Sequence, residues 1–249
     1  ESVIVTGNEI DEYFKVLITA LKQINPELGK KAHHISHGMV RLPEGKMSSR
    51  TGKVLTGEWL LDEVKKTILE LMTKSNSEFS VPEREEIVEK VAVGSIKYAL
   101  LKAGTGHDVV FDLEKSVSID GNSGPYLQYT FARCRSVLSK SGVSFPLALS
   151  PHPLALNAEE LALLRFIYRF PEVVQEAAAQ YSPNLVCTFL YELAQRFNSF
   201  YNKHRILEGK DQKTKNKEQT QFRLLLTQSV AQVLKNGLTL LGISAPEKM

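Results

Sequence analysis

The sequence predicts a mainly α-helical protein that opens with a small remnant of α/β, Rossmann-like structure and continues as an all-α helical bundle. Three observations support this. A short β-branched run, Val3-Ile4-Val5, is closed by Gly7 and followed by a helical pattern and a second strand-like run. Beyond Thr56 the apolar residues recur almost to the end at the 3.6-residue period of helices. Capping residues, prolines and glycines interrupt that pattern where helices of ordinary length should start and stop.

Taken in order, Val3-Ile4-Val5 reads as a buried parallel strand. Residues 11–24 place Phe14, Leu17, Ile18 and Leu21 on one helical face. His34-Ile35-Ser36-His37-Gly38-Met39-Val40 reads as the next strand, which makes one β-α-β unit, right-handed by the general rule. A strand-first opening of this kind reads as the cut edge of a larger sheet. Leu60, Leu61, Val64, Ile68 and Leu71 form a helical stripe, and Ser80-Val81-Pro82-Glu83 is a capping box that starts the next helix. Residues 104–121, around Val109-Val110-Phe111, read as non-helical. A helix from Pro125 to about Ser139 follows, then a proline-rich connection over 141–153. Asn157-Ala158-Glu159-Glu160 caps a helix running to Phe170, where Pro171 interrupts it. Leu185, Phe189, Leu193, Phe197 and Phe200 mark a strong stripe, and the last helix spans about Thr220 to Leu241 with Gly242 in the C′ position.

Composition narrows the class. At 249 residues and 43% hydrophobic content the chain can bury a sizeable core. No apolar run approaches the ~20 residues that span a bilayer, and residues 1–5 lack a signal-peptide layout, so the expectation is a cytoplasmic protein without a membrane partner. Cys134 and Cys187 stand in helical apolar patterns, far from any CxxC spacing, and read as buried thiols. His33, His34 and His37 have no cysteine or clustered carboxylate to complete a ligand set, so no protein-bound metal is expected. The net charge of +3 decides nothing about nucleic acid, but two stretches, 29–53 and 201–217, are locally basic.

Two segments carry chemistry. Lys46-Met47-Ser48-Ser49-Arg50-Thr51-Gly52-Lys53 lies between a strand and a helix. It resembles the K-M-S-K-S loop of class I aminoacyl-tRNA synthetases in the looser form of the arginyl enzymes. Such a loop meets the charge that builds on pyrophosphate when a carboxylate attacks the α-phosphate of ATP, which needs mobile cations and hydroxyl donors. The resemblance implies Lys46 and Arg50 as cations and Ser48 and Ser49 as donors, with Met39, Val40, Met47 and Lys53 lining the nucleotide. The loop departs from the motif at Ser49, where the family has its second lysine, so the cation must come from elsewhere. Arg50 and Lys53 are the candidates within the loop, and the resemblance adds a lysine near the family's H-I-G-H element as another source. No H-I-G-H element occurs in the chain.

The second segment is Gly121-Asn122-Ser123-Gly124-Pro125-Tyr126-Leu127-Gln128-Tyr129-Thr130-Phe131-Ala132-Arg133. At 100° per residue Leu127, Phe131, Cys134 and Leu138 face the core, and Tyr126, Tyr129 and Arg133 share another face. Spacing alone suits a base-stacking platform and a second helix–helix interface equally. This run closely resembles the start of the arginyl-tRNA synthetase anticodon-binding domain, and Phe197-Asn198-Ser199-Phe200-Tyr201 and the ending Ala245-Pro246-Glu247-Lys248-Met249 follow in the family's order. The resemblance spans essentially the whole chain. It implies that Asn122, Tyr126, Gln128 and Tyr129, with Arg133, Tyr201 and the terminal Met249, approach anticodon bases. Sequence alone reads Tyr201 as a core aromatic and Met249 as a frayed end.

The opening Gly7-Asn8-Glu9 with Tyr13-Phe14 also resembles the family's catalytic strand and helix. The resemblance implies three regions: 1–57 as the end of the catalytic domain, 58–120 as a connecting stem-contact region, and 121–249 as the anticodon-binding domain. It further implies a monomer that uses ATP with magnesium, arginine and an arginine tRNA, this part alone being inactive. One alternative is a free-standing tRNA-binding module without chemistry, which the exposed edge of the β-α-β remnant argues against. Another is a different class I synthetase such as the cysteinyl or methionyl enzyme, which the run over 124–129, the ending 245–249 and the lack of a zinc-ligand set argue against.

Overall fold

The computed structural model describes residues 1–43, 56–74, 79–143, 155–207 and 217–249. Strand β1 (Ser2–Gly7) leads through a 3₁₀ turn (Asn8–Ile10) into α1 (Asp11–Ile24), α2 (Pro26–Lys31) and β2 (Ala32–His37). β1 and β2 pair in parallel, Ser2 opposite Ala32 through to Gly7 opposite His37. This confirms the expected β-α-β unit, with α2 added: Asn25 caps it by accepting from the Leu28 amide at 3.2 Å. The unit is thinly covered among the described residues. Phe14 is buried, stacked at 4.1 Å on His34, whereas Leu17 is exposed and Val5 is 61% exposed.

The second predicted strand breaks in two. β2 ends at His37, and β3 (Val40–Arg41) belongs to another parallel pair with β4 (Val109–Val110). Gly38 sits where the chain crosses the backbone of His107 and Asp108, so close that a Cβ there would lie 2.2 Å from the His107 carbonyl. The Met39 amide donates to the Asp108 carboxylate at 2.8 Å, and Arg41 pairs with that carboxylate at 2.6 Å. These contacts divert the chain from the first sheet to the second.

The rest is helical: α3 (Gly57–Lys74), α4 (Val81–Leu101), α5 (Leu113–Val117), α6 (Gly124–Ser141), α7 (Ala158–Tyr168), α8 (Phe170–Ala179), α9 (Pro183–Lys203) and α10 (Lys217–Leu240). The capping box starts α4 as expected, with the Ser80 amide and hydroxyl both donating to the Glu83 carboxylate. α5 is a short helix within the stretch expected to be irregular, capped by Asp112. Among the described residues, none of the helices is long and apolar enough to cross a membrane.

Two cores follow. α3, α4 and α5 enclose Val64, Ile68, Val88, Val91, Ala92 and Phe111. The larger core lies among α6, α7, α9 and α10 and contains Leu127, Phe131, Cys134, Leu163, Phe189, Leu193, Phe197 and Leu234. Burial pushes the Cys187 thiol up to about 12 and raises Cys134 as well, so both are inert buried thiols. α4 and α6 touch through glycine, since a Cβ on Gly124 would lie 2.5 Å from the Gly94 carbonyl oxygen. That close approach aligns α6, the helix carrying Tyr126, Gln128, Tyr129 and Arg133.

Candidate nucleic-acid interface

Helix α6 starts because Ser123 caps it, its hydroxyl accepting from the Tyr126 amide at 3.1 Å, and Pro125 needs no hydrogen-bond partner for its nitrogen. Tyr129 and Arg133 stand four residues apart on one face, and Asn198 and Tyr201 stand three apart on α9. Where the helices meet, the Arg133 guanidinium lies 4.9 Å from the Tyr129 ring centroid and 5.0 Å from that of Tyr201. Both distances fall within the ~6 Å range of cation–π attraction. Tyr201 is 38% exposed and therefore not a core aromatic.

Tyr129, Arg133, Tyr201, Arg135, Lys140, Glu247, Lys248 and Met249 line one cleft of about 810 Å³. Glu247 answers Arg135 at 3.3 Å, and the lining otherwise leans basic. The chain end is pinned and does not fray. Lys97 donates to the Gly242 carbonyl at 2.6 Å, Pro246 is buried, and Met249 packs against the core of α3 and α4. Aromatic faces beside guanidinium and ammonium groups in a half-open cleft suit a single-stranded nucleic acid, whose bases stack while its phosphates meet the cations.

The other singled-out residues fall elsewhere. Gln128 is 0% exposed, and its amide donates to the carbonyls of Lys90 at 3.0 Å and Ser244 at 2.7 Å. The structure thus corrects the expectation that Gln128 touches a base: its donors already join α4, α6 and the carboxy-terminal tail. Tyr126 is half-buried, with its hydroxyl accepting from Asn198 at 3.0 Å and its ring edge-on to Tyr191 at 5.6 Å. Burial raises its phenol and the Asn198 bond opposes that. Spacing paired Tyr126 with Tyr129, but only Tyr129 reaches the cleft.

Asn122 is exposed but lies beyond the start of α6, roughly 10 Å from Tyr129 at the helical rise of ~1.5 Å per residue. It borders a different cleft with Lys102, Asp112 and Lys115. There its side-chain oxygen accepts from the Tyr98 hydroxyl at 2.5 Å and its carbonyl from Lys102 at 2.9 Å. Burial holds the Lys102 amine below its usual value.

At the amino-terminal end Met39 is exposed and Val40 pairs with Val109. Val40 also lines a largely apolar cleft of about 770 Å³ between the end of β2, the end of α4 and the α8–α9 junction. Lys46, Met47, Ser48, Ser49, Arg50 and Lys53 lie outside the described residues. The three histidines are engaged locally: His33 with Glu1 at 3.0 Å, His34 with the Thr6 hydroxyl at 2.8 Å, His37 with the Gly38 carbonyl at 3.0 Å. Among the described residues there is no group of three or more His, Cys, Asp or Glu side chains able to hold a metal ion.

Residues 1–113 match the family described as the catalytic domain of class I (R) tRNA synthetases, and residues 127–249 match the DALR anticodon binding domain. The chain belongs to the class I arginyl-tRNA synthetase family. Similar proteins include the arginine-tRNA ligase of Parabacteroides distasonis, 38% identical over 252 residues, and that of Porphyromonas gingivalis strain W83, 36% identical over 252. Both alignments take in 99% of this chain and 41% of the relative, so the chain spans about two fifths of the length of the curated relatives it matches. The Thermus thermophilus arginyl-tRNA synthetase structure superposes with a TM-score of 0.86 at 29% identity, covering 100% of this chain and 41% of that one. The Plasmodium falciparum enzyme gives 0.80 at 22% identity over 99% of this chain and 41% of its own, a likeness of fold. For this arginyl-synthetase family member the cleft falls wholly within the segment matching the anticodon binding domain.

Sequence reasoning missed Asn198. It belongs to the motif that carried the resemblance, and its spacing from Tyr201 places it on the α6-facing side of α9. Nothing in the sequence signals that its amide meets three α6 side chains at once.

Proposed function

We propose that this chain is the part of an arginyl-tRNA synthetase that docks the tRNA anticodon and carries the loop that meets pyrophosphate. The parent enzyme couples arginine to its tRNA through an arginyl-adenylate, with ATP as its magnesium complex, arginine and the tRNA as substrates, acting as a cytoplasmic monomer. The observation that carries this reading is the convergence of Tyr129, Arg133, Tyr201 and Met249 on one basic cleft. In this reading unpaired anticodon bases stack on the two tyrosine rings and their phosphates meet Arg135, Lys140 and Lys248. Lys46, Ser48, Ser49 and Arg50 act at the leaving pyrophosphate, with Met39, Val40, Met47 and Lys53 around the nucleotide. The regions keep their proposed bounds of 1–57, 58–120 and 121–249.

The test is a titration of the chain with an arginine tRNA and with the same tRNA carrying a substituted central anticodon base, at two salt concentrations. Binding that collapses on substitution supports the reading. Equal, salt-sensitive binding to both refutes base recognition and leaves a basic RNA-associating surface.

A further inference from the structure

We propose that Asn198 is the positioning residue of the cleft, holding the Arg133 guanidinium between Tyr129 and Tyr201 and so setting the attitude of the two rings a nucleobase meets. This rests on the anticodon reading above.

The orientation of the Asn198 amide follows from hydrogen-bond chemistry. Its Nδ2 stands 3.0 Å from both the Tyr126 hydroxyl and the Thr130 Oγ1, and its Oδ1 stands 2.5 Å from Arg133 Nη1. Thr130 already donates its proton to the Tyr126 carbonyl at 2.8 Å, so toward Asn198 it accepts. A guanidinium only donates. Turning the amide over would set nitrogen against nitrogen at Arg133, so only one orientation satisfies all three neighbours.

Arg133 needs such a partner. An arginine side chain has many rotamers, and here the guanidinium is almost equidistant from two rings, neither of which fixes it alone. Among the described residues no carboxylate forms an ion pair with it. Asn198 supplies a directional acceptor without neutralising the charge, so the cation stays available to the nucleic acid. Released from Asn198, the guanidinium could leave the gap and the rings would lose their common spacer.

The deciding experiment compares Asn198→Ala with Asn198→Asp. Alanine removes the acceptor for Arg133 and both donors; aspartate keeps the acceptor and removes the donors to Tyr126 and Thr130. The intact chain is titrated with the arginine tRNA and its central-base variant, and each protein's melting temperature is recorded. Asn198→Ala should reduce the ratio of the two affinities by about tenfold, as expected for one lost charge-assisted bond. Asn198→Asp should hold that ratio near wild type while weakening binding to both tRNAs and lowering its salt dependence, because its carboxylate neutralises Arg133, whereas Asn198→Ala should leave the salt dependence unchanged. If both variants keep the ratio, or both lose it alike with a lowered melting temperature, the residue is only a helix-packing contact and the proposal is wrong. If the wild-type chain does not distinguish the two tRNAs, the anticodon reading fails and this inference fails with it.

Discussion

Replacing Gln128 with leucine tests whether the carboxy-terminal tail is held from inside the protein. The side chain is fully buried and its amide donates to Lys90 in α4 and to Ser244 in the tail. The two bonds do not weigh equally. Lys90 lies well inside α4, so its carbonyl also accepts the ladder bond from four residues on. Losing the Ser244 bond removes an internal tie on the tail, at a cost of ~1–3 kcal/mol if that carbonyl is left unsatisfied. Leucine is close in size and removes the Gln128 Oε1, which already lacks a partner, so cavity terms stay small and partly offset. The net expectation is a loss of about 1–2 kcal/mol in urea unfolding, with faster amide exchange concentrated in residues 243–249. RNA affinity should fall along with tail protection, because Glu247, Lys248 and Met249 line the cleft. Unchanged stability together with unchanged exchange in the tail would refute the internal tie. A fall in affinity with the tail still protected would return Gln128 to the interface.

Other expectations follow from the same geometry. Tyr201→Ala should weaken binding of the arginine tRNA by about 1–3 kcal/mol if its exposed ring stacks on a base, and an unaltered titration would remove it from the interface. Glu160 is 0% exposed and pairs with Arg223 at 2.7 Å, so Glu160→Ala leaves a cation without its counter-charge in a side chain 14% exposed and should cost ~3–5 kcal/mol by urea denaturation. A loss under about 1 kcal/mol would mean that the pair behaves as a surface contact. Glu159 is held at about 2, below its ordinary 4.5, first by the bond from Lys203, then by its own helix backbone and by His204. A depressed carboxylate stabilises the fold fully above pH 4.5 and loses that contribution as pH falls toward 2, so Glu159→Gln should flatten the acid limb of the urea midpoint against pH. An identical limb in the variant would place the acid sensitivity elsewhere. Cys134 and Cys187 should resist alkylation until the chain unfolds, as followed by mass spectrometry, and rapid labelling of the native chain would contradict their burial.

What the sequence revealed and what it hid divide along a physical line. Contacts within one helix are legible because the α-helical period fixes which residues share a face. Leu127, Phe131, Cys134 and Leu138 are buried as their spacing requires, and Tyr129 and Arg133 lie together. Contacts between elements are not periodic, and there the reading failed. The strand expected over 34–40 is cut at Gly38 because a loop 69 residues away passes against it, a crowding no local pattern encodes. Gln128 looks in sequence like its polar neighbours, yet Gly94 and Gly124 let α4 and α6 approach closely and the amide is enclosed between them. α2 and α5 are too short to show a period and exist because Asn25 and Asp112 cap them. The cleft depends on contacts of both kinds. Its tyrosines and arginine follow from spacing and resemblance, whereas the asparagine that bonds the arginine and the tail that closes one wall follow only from the packing of α6, α9 and α10. Substitutions in the rings should therefore act on RNA affinity directly, whereas substitutions at Asn198 and Gln128 should act through the position of groups they do not replace.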